Sequence, residues 1–439
     1  MNDFRQYDLS HWLEHIQTQH WRSIDLTLDR IDQVWRNLTG QRSDLVITIA
    51  GTNGKGSCVA MLEAVLLDAG LRVGSYTSPH LVRYNERIRI NGHAVSDVTL
   101  CNAFQQIEYA RNGIPLTYFE FGTLCALVIF QQQQVEAAIL EVGMGGRLDA
   151  VNLIENDIAL ITSIGIDHAQ WLGNSRETIA AEKAGVLKKN ALAVSADSQP
   201  PQIIARIAAD QRCTILQNEV DYRTELQGNS IVWTSRHPAI PAGWQTIPGL
   251  KQPISGSQQM NNLGGVIAVL ALTCKRTGVT RINLVNGLAN TRLTARCQVI
   301  GSSPEIILDV AHNRDSAIEL AAFLRQRQVN GKTLAVMGAL ADKPVSEIFA
   351  GLDGEIDHWY LATLTGERGQ TAENLKNQLI GLGCTSPVAI GDTPVSAYLA
   401  AMADAGVHDR LVIFGSFYTV GDIIGHLENE GGWAEDSAI

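Results

Sequence analysis

Between an apolar run, Leu45–Ala50, and an amphipathic stretch that starts at Lys55, the chain reads Ala50-Gly51-Thr52-Asn53-Gly54-Lys55-Gly56-Ser57. Glycines let a backbone turn tightly and bring its N–H groups against phosphate oxygens. The helix that follows adds positive potential, and a lysine at the apex reaches terminal phosphates. Ser57 is placed to coordinate Mg2+. The general phosphate loop has four residues between its glycines and a hydroxyl directly after the lysine. Here two residues separate Gly51 from Gly54, and Gly56 stands between Lys55 and Ser57. A bare tight turn explains Gly51 and Gly54 but gives no reason for a lysine at the apex. Gly51, Thr52, Asn53, Gly54, Lys55, Gly56 and Ser57 are therefore the candidate phosphate-binding residues.

A second polar set collects where open α/β sheets bind ligands, at the C-terminal ends of strands. Ser78 and His80 follow one predicted strand as Ser-Pro-His. Glu141 ends the strand AAILEV, ahead of Gly143-Met144-Gly145-Gly146-Arg147-Leu148-Asp149, and Asp167 and His168 follow ITSI. Taken singly, Ser78 starts a turn, Glu141 pairs with Arg147 and His168 caps a helix. Their shared topological position makes Ser78, Glu141 and His168, with Ser57, a candidate shell for a divalent cation.

The elements that must position these residues follow the rhythm of a parallel sheet covered by helices. Strands are expected at 45–50, 72–76, 137–142, 158–164 and 191–196, with helices at 55–69, 96–110, 116–132 and 175–187. Residues 213–260, with four prolines and short polar alternations, read as an antiparallel excursion on the edge of that sheet. A long helix, 262–276, closes this half. A second series of strands at 305–311, 333–339, 358–364, 387–391 and 410–416 makes a smaller Rossmann-like α/β domain. The fold class is thus α/β, with a phosphate-loop domain over 1–293, a linker over 294–301 and a second domain over 302–439.

Composition narrows the partners. The 439 residues carry 34 Lys+Arg against 45 Asp+Glu, a net charge of −11, which argues against a general nucleic-acid binder. The start, MNDFRQYDLSHWLEH, has neither the basic leader nor the apolar core of a signal peptide, and the apolar stretch 121–130 is about half a membrane span. A cytoplasmic location without membrane contact is expected. Seven scattered cysteines with no CxxC pair read as reduced core thiols. With no long exposed apolar stripe, a monomer is expected. Anionic ligands must be met by clustered cations, for which Arg83, Arg87, Arg89, Arg147 and Arg296 are the candidates. Arg87 and Arg89 alternate with isoleucines, so a solvated strand face is an equal reading for them.

Taken together, GTNGKGS, TSPHLVRYNERI, LEVGMGGRLDA, TSIGIDHAQWLG, EKAGVL and LDVAHN resemble the Mur ligase family, from SIDLTLDRI near residue 23 to IFGSFYTV near 420. Within it the chain looks most like the bacterial bifunctional ligases that make dihydrofolate and folylpolyglutamates. The resemblance implies an ATPase domain, a smaller Rossmann-like domain and an active site in the cleft between them. It implies ATP and Mg2+ as cofactors, and dihydropteroate, reduced folates and L-glutamate as partners. By the same resemblance Lys55 and its loop hold the ATP phosphates, and Ser78, Glu141 and His168 bind Mg2+. Lys183 matches a lysine that is carbamylated near a second metal; its plain reading is one end of a charged pair with Glu182 on a helix surface. Asn262 (rather than Asn261), Arg296 and Asp309 would contact ATP, with His312 close by as a catalytic group. Thr117-Tyr118-Phe119 and Leu148-Asp149-Ala150 match the segments that line the pterin pocket.

The implied reaction transfers the γ-phosphoryl group to a carboxylate, and the amine of glutamate then displaces phosphate. The sequence departs from the family in its second half. The usual Pro-Gly-Arg-Phe reads Thr294-Ala295-Arg296-Cys297, Arg314 replaces a proline after LDVAHN, and Tyr418 stands where histidine is common. The readings left open are a ligase for folates alone or for another carboxylate, and a non-catalytic nucleotide-binding protein.

Overall fold

Leu45–Ala50 (β1) is buried at all its positions, as an unbroken apolar run must be when helices cover both faces of a parallel sheet. In the computed structural model, which describes residues 4–20, 24–352, 354–366, 368–431 and 433, β1 sits near the middle of an eight-stranded sheet. The N-terminal Met1–Asp3 and Ser23, the first residue of the SIDLTLDRI motif, lie outside the described residues. The other strands of this sheet are Val73–Tyr76 (β2), Ile88–Ile90 (β3), His93–Ala94 (β4), Ala137–Glu141 (β5), Ile158–Ile161 (β6), Leu192–Ser195 (β7) and Thr214–Gln217 (β8). Their order is β4-β3-β2-β5-β1-β6-β7-β8. Six strands run parallel from β2 to β8, and β3 and β4 turn back antiparallel at the edge.

The chain divides into two compact units. One comprises Met1–His80, Tyr84–Pro253 and Gln259–Arg292, the other Leu81–Arg83, Ile254–Gln258 and Leu293–Ile439. In the first unit the antiparallel excursion is not an extension of the main sheet. Its opening segment, β8, completes that sheet in parallel, and Tyr222–Gln227 (β9), Ser230–Ser235 (β10) and Thr246–Leu250 (β11) form a separate three-stranded antiparallel sheet. Buried Trp233 fastens this small sheet to the helix Gln258–Thr277 by donating its indole N–H to the Gly264 carbonyl, 3.1 Å away. Two helices before β1, Leu9–Gln17 and Asp29–Asn37, were not expected; their apolar residues, Trp12, Ile16, Ile31, Val34 and Trp35, join the core of this unit.

The second unit holds a six-stranded sheet: Gln298–Ser302 (β12), Glu305–Leu308 (β13), Thr333–Met337 (β14), His358–Ala362 (β15), Val388–Gly391 (β16) and Arg410–Phe414 (β17), in the order β12-β13-β17-β14-β15-β16. Only β12 runs antiparallel, as the first arm of a hairpin with β13. Half of the segment expected as linker is therefore strand. The strand expected over 305–311 ends at Leu308; the Asp309 N–H makes one further bond to the Ile413 carbonyl at 3.0 Å, while its carboxylate turns onto the N–H groups of Cys297 and Ala311. All seven cysteines are free thiols. No helix among the described residues is long and apolar enough to cross a membrane.

Candidate active site

The loop after β1 is set by its glycines. Gly51 (φ 146°) and Gly54 (φ 95°) adopt left-handed backbone that L side chains avoid. Each is also hemmed in: a Cβ on Gly51 would strike the Thr162 hydroxyl, and one on Gly54 the Asn262 amide. The turn after β6 buttresses the loop. Thr52 N–H donates to the Ser163 carbonyl at 2.8 Å, and Thr52 Oγ1 exchanges hydrogen bonds with Gly165 at 3.0 and 3.1 Å. The helix Lys55–Asp68 starts at the loop with no side-chain cap on Gly54, so its first N–H groups face forward, as an anion site requires.

Two lysines converge on one carbonyl. Lys55 Nζ donates to Gly51 O at 3.0 Å and to Thr52 O at 3.1 Å, and Lys183 Nζ donates to the same Gly51 O at 2.7 Å. Lys183 closes the helix Arg176–Lys183, which is fixed by a Ser175–Thr178 capping box, and it is only 5% exposed. It is not one end of a surface pair. Burial, and then the charge of Lys55, push its ammonium down to about 7. Glu182 instead pairs with Arg147, at 3.0 Å on the surface.

Glu141, at the end of β5, therefore does not pair with Arg147. One of its carboxylate oxygens accepts the Ser78 N–H at 3.2 Å, which joins two of the expected metal ligands. His168 stands on the turn after β6 in a left-handed conformation, at the start of the short helix Ala169–Leu172, with no side-chain cap bond. Among the described residues no three His, Cys, Asp and Glu side chains form a metal cage. The donors at hand are hydroxyl, carboxylate and imidazole. Ser57 Oγ is fully buried with no hydrogen-bond partner, an oxygen that a cation or a phosphate would satisfy. This set fits a magnesium-type ion that keeps waters and shares phosphate oxygens rather than an all-protein cage.

Asn262 and Asn261 separate cleanly. Asn262 is buried against Gly54 and donates to Gln259 Oε1 at 3.0 Å, while Asn261 accepts from Asn218 Nδ2 at 3.0 Å. Thr117 caps the helix Tyr118–Gln132 through a full capping box with Glu120, which is paired with Arg30 at 3.2 Å. Phe119 packs on Tyr76 and against Gly143. Leu148 is half-buried and Ala150 buried. Asp149 is buried, with one oxygen on the Met144 N–H (2.8 Å) and the other on the Val151 N–H (3.0 Å), and burial pushes its carboxyl up to about 6. Its carboxylate thus holds the glycine-rich turn in shape.

The arginines after β2 are not a solvated strand face. Arg87 is buried, donates from Nε to His80 Nδ1 at 2.8 Å, and lies over the rings of Tyr84 and Tyr118 at 5.2 and 5.4 Å. Arg89 pairs with buried Glu63 at 2.7 Å. Arg83 and Arg147 are exposed at the surface, each beside a glutamate. In the second unit, Arg296 is half-buried between Ala295 and Cys297. Asp309 is buried nearby, and His312 donates its Nδ1–H to the Val310 carbonyl at 2.8 Å. Residues not foreseen are Thr162, whose hydroxyl faces Gly51, and Asp197, which fixes the turn after β6 by accepting the Ile164 N–H at 2.9 Å and the Arg176 guanidinium at 2.9 Å. Their only signal was a polar residue at the end of a strand.

Comparison with known proteins agrees with this layout. The Mur ligase middle domain matches residues 49–270, and the Mur ligase glutamate ligase domain matches 295–417. The chain is 37% identical to the dihydrofolate synthase/folylpolyglutamate synthase of Escherichia coli over 95% of this chain and 94% of the relative. Among solved structures, E. coli FolC in complex with DHPP and ADP superposes with a TM-score of 0.89 at 37% identity, covering 97% of this chain and 99% of that one. A bifunctional folylpolyglutamate synthase/dihydrofolate synthase with Mn, AMPPNP and L-glutamate bound gives 0.87 at 38% identity, over 96% and 98%. The chain belongs to the Mur ligase family, on the branch of the dihydrofolate synthase/folylpolyglutamate synthases.

Proposed function

We propose that this ATP-dependent ligase joins L-glutamate to dihydropteroate, giving dihydrofolate, and to the γ-carboxylate of reduced folates. A carboxylate is a poor electrophile, so the reaction first moves the γ-phosphoryl group of ATP onto it, releasing ADP and leaving an acyl phosphate. The amine of glutamate attacks the acyl carbon, the C–O bond to phosphate breaks, and amide and inorganic phosphate are released with the amine proton. Positioning and charge stabilisation dominate phosphoryl transfer. Here the loop Gly51–Ser57 and Lys55 are assigned to the phosphates, and Asn262, Arg296 and Asp309 to ATP. Thr117, Tyr118, Phe119, Leu148, Asp149 and Ala150 are assigned to the pterin.

Ser78, Glu141 and His168, with Ser57, are the residues proposed to hold Mg2+, which when bound neutralises charge on the transferring phosphoryl group. His312, whose Nδ1–H donates to the Val310 carbonyl at 2.8 Å, is assigned as a catalytic group close to Arg296 and Asp309. The observation that carries the ligase reading over a nucleotide switch is buried Lys183 beside Lys55 on Gly51 O. A nucleotide-binding loop has no need of a second, desolvated lysine. A lysine amine in its neutral form adds to the carbon of CO2, one C=O π bond opening to the carboxylate and an N–H proton passing to solvent, which turns a cation into a carbamate anion at the phosphate loop. The test is phosphate release with dihydropteroate and with a reduced folate, each with and without glutamate. Release that requires both members of each pair is expected, and no stimulation by either pair overturns the assignment.

A further inference from the structure

Arg296 sits in an unusual piece of backbone. Its two neighbours, Ala295 (φ 58°) and Cys297 (φ 46°), both adopt the left-handed region although neither is glycine. Such a conformation is unfavourable for L residues and persists only where the surroundings impose it. The surroundings do so here. The Ala295 side chain is fully buried in the core on one face of the second sheet and Cys297 in the core on the other, which leaves Arg296 at the sheet's end. Ala295 N–H donates to Gln298 Oε1 at 2.9 Å, and Val310 N–H donates to the Ala295 carbonyl at 3.1 Å. Cys297 N–H donates to Asp309 Oδ2 at 2.8 Å, and the other oxygen of Asp309 accepts the Ala311 N–H at 2.7 Å.

We propose that Asp309 is a positioning residue: its buried carboxylate clasps the backbone on the far side of Arg296 and so fixes where that guanidinium points. The inference rests on the reading that Arg296 serves the nucleotide, and it gives Asp309 a task beyond its own assigned ATP contact, that of holding Arg296 in place. The carboxylate is suited to the task. Burial pushes its carboxyl up, and the charge of Arg296 and the two N–H donors oppose that rise; an amide in its place would face one of those N–H groups with its own NH2. Where the family carries glycine, at 295, a left-handed turn forms without help. With alanine there, the clasp carries more of the work.

The test is titration of the full chain with AMPPNP and Mg2+, on Arg296→Ala, Asp309→Asn and the pair, each first checked for native melting. Each single change is expected to weaken AMPPNP about tenfold or more, and the pair clearly less than the product of the two losses, because part of the loss in Asp309→Asn runs through the same guanidinium. Adding Ala295→Gly to Asp309→Asn should recover about threefold or more of the affinity, since glycine needs less holding. Losses that multiply in the pair, with no recovery by Ala295→Gly, overturn the positioning role and leave Asp309 its direct contact alone. Unchanged affinity in Arg296→Ala alone instead overturns the nucleotide role of Arg296, a separate signature. Should Asp309→Asn fail to fold, Gln298→Ala opens the other clasp. It is expected to weaken AMPPNP about threefold in the native background and not at all once Arg296 is alanine, and a loss in both backgrounds overturns the inference.

Discussion

Two loops in this molecule, one leaving β1 and one entering β12, use left-handed backbone, and they reach it by opposite means. After β1 the left-handed positions are Gly51 and Gly54, and the conformation belongs to the residues themselves. Before β12 the positions are Ala295 and Cys297, and the conformation belongs to their partners, Gln298, Val310 and Asp309. The first arrangement keeps the backbone N–H groups uncovered by side chains, which a phosphate needs. The second fixes a side chain, Arg296, through contacts that the rest of the second unit must supply. The glycine loop therefore takes its left-handed turns from its own residues, with the turn after β6 as a buttress, whereas the arginine loop inherits every weakness of the groups that clasp it.

The strongest way to break this contrast is to put a side chain into the glycine loop. Gly54→Ala meets both the left-handed φ and the Asn262 amide, so relief in one leaves the other. Nucleotide affinity and turnover are expected to fall at least about a hundredfold, with a loss of stability of about 2 kcal/mol, measured by AMPPNP titration and chemical unfolding. Near-native affinity would mean that the glycine is incidental to phosphate binding.

Lys183 sharpens the same side of the comparison, because its amine shares Gly51 O with Lys55. Lys183→Ala is expected to lower turnover about a hundredfold or more while leaving AMPPNP affinity within a few fold, with part of the rate restored by short-chain carboxylates. Turnover that persists would remove the carbamate from the scheme. In CO2-free buffer the amine itself is visible as a pH effect. Its folded value of about 7 lies below the ordinary 10.5, chiefly through burial and secondarily through Lys55, so the unfolded chain binds the extra proton between those values. The stability Lys183 contributes is then complete above pH 10.5 and lost as pH falls to 7. Relative to Lys183→Met, unfolding free energy should climb by about 1 kcal/mol per pH unit across that window.

Legibility in the amino-acid sequence follows the same division. The glycine loop, the main parallel strands along the chain and the polar residues at their ends were readable because they are local: glycine spacing, unbroken apolar runs and turns. Counting to a helix expected at 262 does not single out Asn262, because the helix starts at Gln258 and holds both asparagines; their contacts with Gly54 and Asn218 separate them. What escaped depends on contacts across long stretches of chain. The partners of Glu141 and Lys183 lie 63 and 132 residues away, at Ser78 and Gly51, and no local pattern marks either. β8 looks like its antiparallel successors until β7 is there to receive it. Ala295 and Cys297 gave no hint of left-handed backbone, since neither residue type favours it. Their replacement of glycine and an aromatic residue was visible; its consequence for Asp309 was not.

The smallest expected effect is also the one that weighs the two loops directly. Ala295→Gly relieves a left-handed alanine, worth about 1–2 kcal/mol, but it adds the backbone entropy of glycine, about 0.5–1 kcal/mol. It also removes a fully buried methyl group, about 0.8 kcal/mol. The terms nearly cancel, so the unfolding free energy should change by no more than about 0.5 kcal/mol. Ala321 provides the reference, being equally buried but inside the helix Arg314–Gln326. There the same substitution has no strain to relieve and should destabilise by about 2 kcal/mol from lost packing and helix propensity. The gap between the two variants, read from denaturant unfolding, measures what the contacts around Arg296 must overcome. Equal losses at both positions would mean that the left-handed alanine is unstrained and that the arginine loop, like the glycine loop, holds its own shape.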